Sequence, residues 1–287
     1  MGNTDEAREH PLAPEHLAGC VALSKSASWN QNEADWRLML ELGRGYGFSL
    51  ADGTLAASTI TLPYGLGFAW VSMVLVLPEY RRKGYATQLL RRALQDLKIE
   101  NRTPILDATP AGHEVYAQEG FRGTWGFRRI ALHGPASFSG AADGVGVRPL
   151  QASDWPRIAA LDAPAFGADR VTLLRSLAER LPGAALVAER DGELSGFVLG
   201  RDGREANQLG PLVARDVTSA RALLAEVLAR VPSPVYIDVV DREPALQAWL
   251  GEHGFVFQRP FTRMVHGAER APGDARLVYC PAGPELG

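Results

Sequence analysis

Between Val71 and Leu90 the hydrophobic period changes from that of a strand to that of a helix across one short basic turn. Val71-Ser72-Met73-Val74-Leu75-Val76-Leu77 is apolar and rich in β-branched residues, and it stops at Pro78. A turn containing Arg81, Arg82, Lys83 and Gly84 follows. Apolar residues then return at helical spacing, at Ala86, Leu89, Leu90, Ala93, Leu94 and Leu97, with Arg91, Arg92, Gln95 and Asp96 on the opposite face. Strand, turn and helix in this order place several backbone N–H groups at a helix N-terminus, where an anion is held, and the basic triplet adds positive charge at the same point. Gly84 permits a positive φ and a close approach of backbone to ligand, and Ala86 keeps the next exposed position small. The G-x-G-x-x-G dinucleotide fingerprint and the phosphate loop G-x-x-x-x-G-K-[ST] are both absent here. Taken alone, the junction is either a phosphate-binding turn or an ordinary strand-to-helix turn with solvated arginines.

Downstream residues decide between the two. Pro104-Ile105-Leu106-Asp107-Ala108 reads as a short buried strand. Pro110 to Glu119 reads as a helix, with proline in its first turn and Gly120 just past its end, and Phe121 follows at once. The order V-x-V-x-P-x-x-R-x-x-G-x-A, then a strand, then Y-x-x-x-G-F resembles the GNAT family of acetyl-CoA-dependent N-acyltransferases. The resemblance covers about Leu17 to Leu132. Trp29-Asn30-Gln31, Asp35-Trp36-Arg37, Pro63-Tyr64-Gly65 and Leu106-Asp107-Ala108-Thr109-Pro110 are similar to one bacterial branch of that family.

The second half repeats the first. Asp52-Gly53-Thr54-Leu55 is echoed by Asp191-Gly192-Glu193-Leu194, each a tight turn between alternating apolar residues. Leu89-Leu90 is echoed by Leu223-Leu224, and Gly120-Phe121 by Gly254-Phe255, as expected of one duplicated unit. Segments around Leu161-Asp162, Asp169-Arg170, Gly200-Arg201 and Gly210-Pro211-Leu212-Val213 resemble a divergent GNAT domain found C-terminal to a regular one. The copies are not equivalent. Arg215 matches Arg81, but Thr218 stands where the first copy has Gly84, and Leu250 where it has Tyr116. A β-branched residue crowds a pyrophosphate and leucine donates no proton, so the second cofactor site is expected to be lost. The division expected is an N-terminal domain over residues 1–133 with the acetyl-CoA site, a Gly/Ser-rich linker over 134–145 and a C-terminal domain over 146–287. The fold class is α/β of mixed type, two GNAT units in tandem. Each has a bent, mostly antiparallel sheet flanked by helices, and the strand before the phosphate turn splays from its neighbour.

At 287 residues the chain suits two domains that each bury a core. A net charge of −3 and a basic cluster only three residues long argue against a nucleic-acid partner. Cys20 and Cys280 form no metal spacing and no disulfide framework. No run suits a membrane span, Met1 to Pro11 is too polar for a signal peptide, and Glu6 stands where a myristoylation motif wants Ser or Thr. The expected location is the cytoplasm, without metal and without membrane.

The resemblance implies the site. The pantetheine of acetyl-CoA lies along Val74, Leu75 and Val76, and an N–H there faces the thioester oxygen, worth about 3 kcal/mol in related oxyanion holes. The pyrophosphate rests on Arg82, Lys83, Gly84, Tyr85, Ala86 and Thr87, beside Arg81. Tyr116 is the candidate general acid for the leaving thiolate, or else a helix tyrosine packed between Ile105 and Phe121. Many relatives carry asparagine seven residues before this tyrosine. Here Thr109 stands there, a hydroxyl able to make part of the same contact. Asp107 and Glu114 are the nearest candidates for the base that deprotonates an amine, followed by Asp35 and Glu33, and each could instead be solvated or capping. Trp29, Trp36, Tyr64 and Trp70 either line an acceptor slot or fill the core. Arg201 or Arg170 either grips an acceptor carboxylate or joins an interdomain salt bridge. The activity implied is transfer of an acetyl group from acetyl-CoA to a small-molecule primary amine. The alternatives are the same chemistry on a protein or peptide, or a non-catalytic acyl-CoA sensor.

Overall fold

The strand-to-helix junction lies at the centre of the first half of the structure. The computed structural model describes residues 7–135, 138 and 144–287. Its first half runs β1 (Arg8–Pro11), α1 (Leu17–Ser26), α2 (Glu33–Leu42), β2 (Arg44–Ser49), β3 (Leu55–Tyr64), β4 (Phe68–Val76), α3 (Tyr85–Ile99), β5 (Thr103–Ala108), α4 (Pro110–Gln118) and β6 (Phe121–Leu132). The second half repeats that order from its first strand to its last helix. It runs β7 (Gly146–Pro149), α5 (Trp155–Phe166), α6 (Val171–Arg180), β8 (Leu186–Arg190), β9 (Glu193–Arg201), β10 (Asn207–Ala214), α7 (Val217–Arg230), β11 (Val235–Val240), α8 (Pro244–Glu252) and β12 (Val256–His266), and adds β13 (Val278–Cys280). Within the expected linker, residues 136, 137 and 139–143 lie outside the described residues, as do residues 1–6 of the segment weighed for targeting signals.

The helices form where the periodicity places them. α3 buries Leu89, Leu90, Ala93 and Leu97 on one stripe. α4 begins at Pro110 behind an N-cap Thr109, whose hydroxyl accepts from the Gly112 amide, and ends before Gly120 at φ +92°. Asp191 and Gly192 both take positive φ in the second-half turn, as an Asp-Gly hairpin requires.

The two halves share one sheet of thirteen described strands, ordered β1-β2-β3-β4-β5-β12-β6-β11-β10-β9-β8-β7, with β13 against β10. Pairing is antiparallel except between β4 and β5 and between β10 and β11. The last large strand of each half is exchanged: β12 pairs with β5, β6 pairs with β11, and the two exchanged strands lie side by side. The linker that divides the sequence therefore does not divide the sheet. One core mixes both halves, with Trp36, Tyr64 and Trp70 packed in the same cluster as Phe166, Leu173 and Leu174.

Two departures from regular pairing open the first half. β4 pairs with β5 only at Phe68, Ala69 and Trp70, so from Val71 onward that edge of β4 has no strand against it. Opposite, Ser58 pairs with Leu75 and Ile60 with Ser72, leaving two β4 residues against one of β3. Met73 takes φ +51° in this bulge, and Ser58 Oγ donates to its carbonyl at 2.7 Å. In the second half, β10 leaves β11 after Leu209, but β13 pairs with it at Leu212 and Val213. The opening that stands free in the first half is filled by the chain's own strand in the second.

Candidate active site

Gly84 caps α3 in the left-handed region at φ +84°, and no side chain accepts from the first-turn amides. Those amides are unsatisfied by helix geometry and point out of the helix end. A Cβ at Gly84 meets only Gln88 Nε2, at 3.5 Å, so the space over the cap is open. Arg81, Arg82 and Lys83 are exposed around it. Arg81 Nε donates to the Val76 carbonyl at 3.2 Å, Arg82 takes φ +61°, and Lys83 Nζ lies 5.0 Å from the Tyr80 ring. Tyr85 is anchored on Phe48 with ring centroids 4.8 Å apart, while Ala86 and Thr87 are partly exposed. This cradle of open amides and arginines fits a pyrophosphate. The second half differs: Asp216 caps α7, and its carboxylate accepts from the Ser219 amide at 2.8 Å, putting a fixed negative charge over that helix end. The residue at the cap is thus Asp216 rather than Thr218.

A cavity opens where β4 leaves β5. Val71, Ser72, Met73 and Val74 form its β4 wall, and Leu106, Asp107, Thr109 and Tyr116 the opposite one. Val74 is half-buried and Leu75 buried; Val76, also partly exposed, packs beside Tyr85. Tyr116 is half-buried against Phe121, ring centroids 6.0 Å apart, and burial pushes its phenol up to about 12. Gly112 makes room for this ring, since a Cβ there falls 2.8 Å from Tyr116 Cε2.

Family models for an acetyltransferase (GNAT) domain match residues 8–123 and, separately, residues 158–280. The chain belongs to the GNAT family, with two such domains in tandem. The Bacillus subtilis (strain 168) protein YitH, named an uncharacterized N-acetyltransferase, is 25% identical over 245 residues, covering 85% of this chain and 86% of its own. A Pyrococcus horikoshii crystal structure assigned as an acetyltransferase superposes with a TM-score of 0.81 at 19% identity, covering 100% of this chain and 98% of the other. A tandem GNAT protein from the clavulanic acid biosynthesis pathway superposes at 0.67, with 18% identity, over 94% of this chain and all of the other. The chain is accordingly an acyltransferase.

The acid–base candidates separate on burial. Asp107 lines the cavity, but Arg263 of β12 holds both its oxygens at 2.9 Å, and the arginine lies between the Trp70 and Trp125 rings, 4.4 and 4.2 Å from their centroids. Burial raises the Asp107 carboxyl, and Arg263 works against that rise. Glu114 is exposed on α4 and is not among the lining residues, so the structure gives this expected base no place in the cavity. Glu33 pairs with Arg37 on the surface, and Asp35 is buried against Arg180 and Arg201.

Of the expected acceptor wall, Trp29 lines the cavity and the others do not. Trp36 is wholly buried with its indole N–H on Ser24 Oγ at 2.9 Å. Tyr64 donates to the Leu286 carbonyl at 2.7 Å and stacks edge-on with Phe166. Both are core. Arg201 is buried behind the cavity, tied to Asp35, the Ala282 carbonyl and Glu285. Arg170 pairs with Asp162 and donates to the Gly287 carbonyl at 2.6 Å. Neither guanidinium faces the cavity. Both brace the segment 281–287, as Trp70 does through Pro284.

Five lining residues were not singled out from sequence: Arg129, Arg259, Phe261, Pro284 and Glu285. Four lie in the second half, where Arg170 and Arg201 were the residues weighed for the acceptor. One signal was available: Arg129, and its partner Asp238 in Val235-Tyr236-Ile237-Asp238-Val239-Val240, are charges inside apolar strand runs. They form a buried bidentate pair at 2.9 and 2.7 Å. Among the described residues no cluster could hold a metal ion, and no helix is long and apolar enough to cross a membrane.

Proposed function

We propose that this enzyme transfers an acetyl group from acetyl-CoA to the primary amine of a small molecule, in a ternary complex at the cavity between β4 and β5. The observation that carries this reading is a conjunction: β4 leads from a cavity lined by its unpaired edge and by Tyr116 to the uncapped N-terminus of α3. Acetyl-CoA supplies the thioester. Arg81 to Thr87 hold its pyrophosphate, and Val74 to Val76 pair with its pantetheine as an added strand would. Thr109, its oxygen already accepting from Gly112, keeps a hydroxyl hydrogen to donate. Backbone amides released by the Met73 bulge face the oxygen on which charge develops.

Tyr116 stays protonated through the neutral range, because its phenol lies near 12, and it gives its proton to the sulfur as the C–S bond breaks. The amine forms the C–N bond and sheds one proton. With Asp107 fully engaged by Arg263, the carboxylate placed to take that proton is Glu285, which keeps Oε2 without a hydrogen-bond partner among the described residues. A small acceptor is favoured over a protein because the α1–α2 loop and the segment 281–287 wall the cavity from above. The second half binds no acetyl-CoA in this reading: Asp216 repels an anion at α7, β13 fills the matching opening, and Leu250 replaces the tyrosine.

The test is thiol release from acetyl-CoA on Tyr116→Phe. The expected result is a kcat lower by about 10²–10⁴-fold with acetyl-CoA affinity retained. Unchanged turnover would remove Tyr116 from the mechanism, and a wild type that binds acetyl-CoA without transferring it would leave a sensor.

A further inference from the structure

The cavity has unpartnered polar groups of opposite kind at two places. At the first, Gln31 Oε1, Ser72 Oγ and Glu285 Oε2 are buried oxygens without a hydrogen-bond partner among the described residues, and all three residues line the cavity. Glu285 is only 2% exposed, and its other oxygen is held by Arg201. Buried acceptors are costly to leave unpaired, so two such oxygens and a hydroxyl in one cavity wall mark a place for N–H donors. Ser72 sits on β4 beside the Met73 bulge, the end where the acyl group is transferred.

At the second, Arg259 reaches the cavity from β12. Among the described residues its guanidinium makes no ion pair and no hydrogen bond. Its recorded contact is the Phe261 ring, 5.9 Å away. The surrounding carboxylates are already engaged: Asp238 by Arg129 and Gln208, and Glu205 by Arg204. The buried arginines nearby each have a carboxylate: Arg129 has Asp238, Arg263 has Asp107 and Arg201 has Glu285. Arg259, half-buried at the cavity, has none. Burial, with the adjacent Arg129 charge, holds its guanidinium below the ordinary arginine value. Trp29, Phe261 and Pro284 form an apolar wall of the same cavity.

Resting on the acyl-transfer reading above, we propose that the acceptor is an amino-carboxylic acid, its amine seated against Ser72, Gln31 and Glu285 and its carboxylate on Arg259. A guanidinium fork takes a carboxylate bidentately, and a site built for a charged partner discriminates strongly against an analogue that lacks it. The neutral amine attacks, the C–N bond forms and the C–S bond breaks. The sulfur takes the electron pair and the Tyr116 proton, and the nitrogen's proton passes to Glu285 Oε2.

The experiment measures thiol release from acetyl-CoA with the standard α-amino acids, β-alanine and 4-aminobutanoate, each against its own carboxamide. Calorimetry on the same probes runs in parallel. At least one acid is expected to exceed its amide tenfold or more in kcat/KM. Arg259→Gln is expected to raise the KM of that acid at least tenfold more than that of the amide, and Arg259→Lys to recover part of the loss. Amides used as well as acids, equal losses on both in Arg259→Gln, or no acid bound in the presence of acetyl-CoA would each overturn the proposal. If acetyl-CoA itself fails to bind, the acyl-transfer reading falls. The carboxylate seat is then decided by calorimetry alone: acid binding weakened by Arg259→Gln upholds it, and no binding overturns it.

Discussion

Asp35 of α2 accepts from Arg180 Nη1 of α6 at 2.6 Å and lies 2.9 Å from Arg201 Nε of β9. A carboxylate of the first half is thus neutralised by two guanidiniums of the second. The same loop is held on both sides: Asn30 donates to the Ala206 carbonyl, and Arg204 to that of Trp29. Trp29 and Gln31 keep their places in the cavity wall through second-half contacts.

Removing the carboxylate should therefore be felt in both halves at once. Breaking a buried pair costs about 3–5 kcal/mol, and Asp35→Ala should fall near the lower figure because Arg180 retains Asp202 and Arg201 retains Glu285. Urea unfolding measures this loss, and a midpoint equal to wild type would remove Asp35 as the clasp. The acceptor KM should rise as well, because the Trp29–Asn32 loop loses its tie.

Gly112→Ala separates stability from rate. Alanine is favoured over glycine by about 1 kcal/mol in a helix interior and by less in the first turn, where Gly112 lies. The new methyl falls 2.8 Å from Tyr116 Cε2, and the ring is the group free to move. Thermal unfolding should be unchanged or raised, while kcat falls at least tenfold. A variant that keeps full turnover would show that the position of the Tyr116 ring is not critical.

The Tyr116 phenol sets an alkaline signature. Its proton is held to about 12 in the folded protein, against about 10 when exposed. The folded pKa is the higher, so the associated stability is fully present below pH ~10 and is lost as pH climbs toward 12. Tyrosinate absorbance of wild type minus Tyr116→Phe should show one phenol titrating near 12. A difference titrating near 10 would contradict the burial described here.

Neither cysteine should interfere with a thiol-release assay. Cys20 and Cys280 are buried, and burial pushes the Cys20 thiol up to about 12 and that of Cys280 higher still. Ellman's reagent should label the native protein well below one thiol per chain, and both thiols after unfolding. Rapid native labelling would mean that one of these sites opens.

The strand–turn–helix junction was legible in the sequence because it is local: a β-branched run, a proline, a basic turn and an apolar helical stripe are contiguous. Tyr116 and Thr109 came in with the family resemblance, whose motif lies within one strand–helix unit. The second-half wall of the cavity was not legible, because it is assembled by strand exchange. Arg263 and Arg259 reach the first-half site only because β12 pairs with β5 and β6, and nothing in the local pattern of Val256–His266 announces that neighbour. For Trp36 and Tyr64 the sequence left slot and core both open, and second-half helices cover that face and turn it into core. Glu114 was near Tyr116 on the same helix, but side chains two positions apart on a helix do not face the same way.

The central claim is one acetyl-CoA site per chain, in the first half, and calorimetry tests it most directly. Wild type should bind one equivalent, and Gly84→Glu, which places a carboxylate over the open helix cap as Asp216 does at α7, should abolish binding. Two equivalents, or binding that survives Gly84→Glu, would contradict the account.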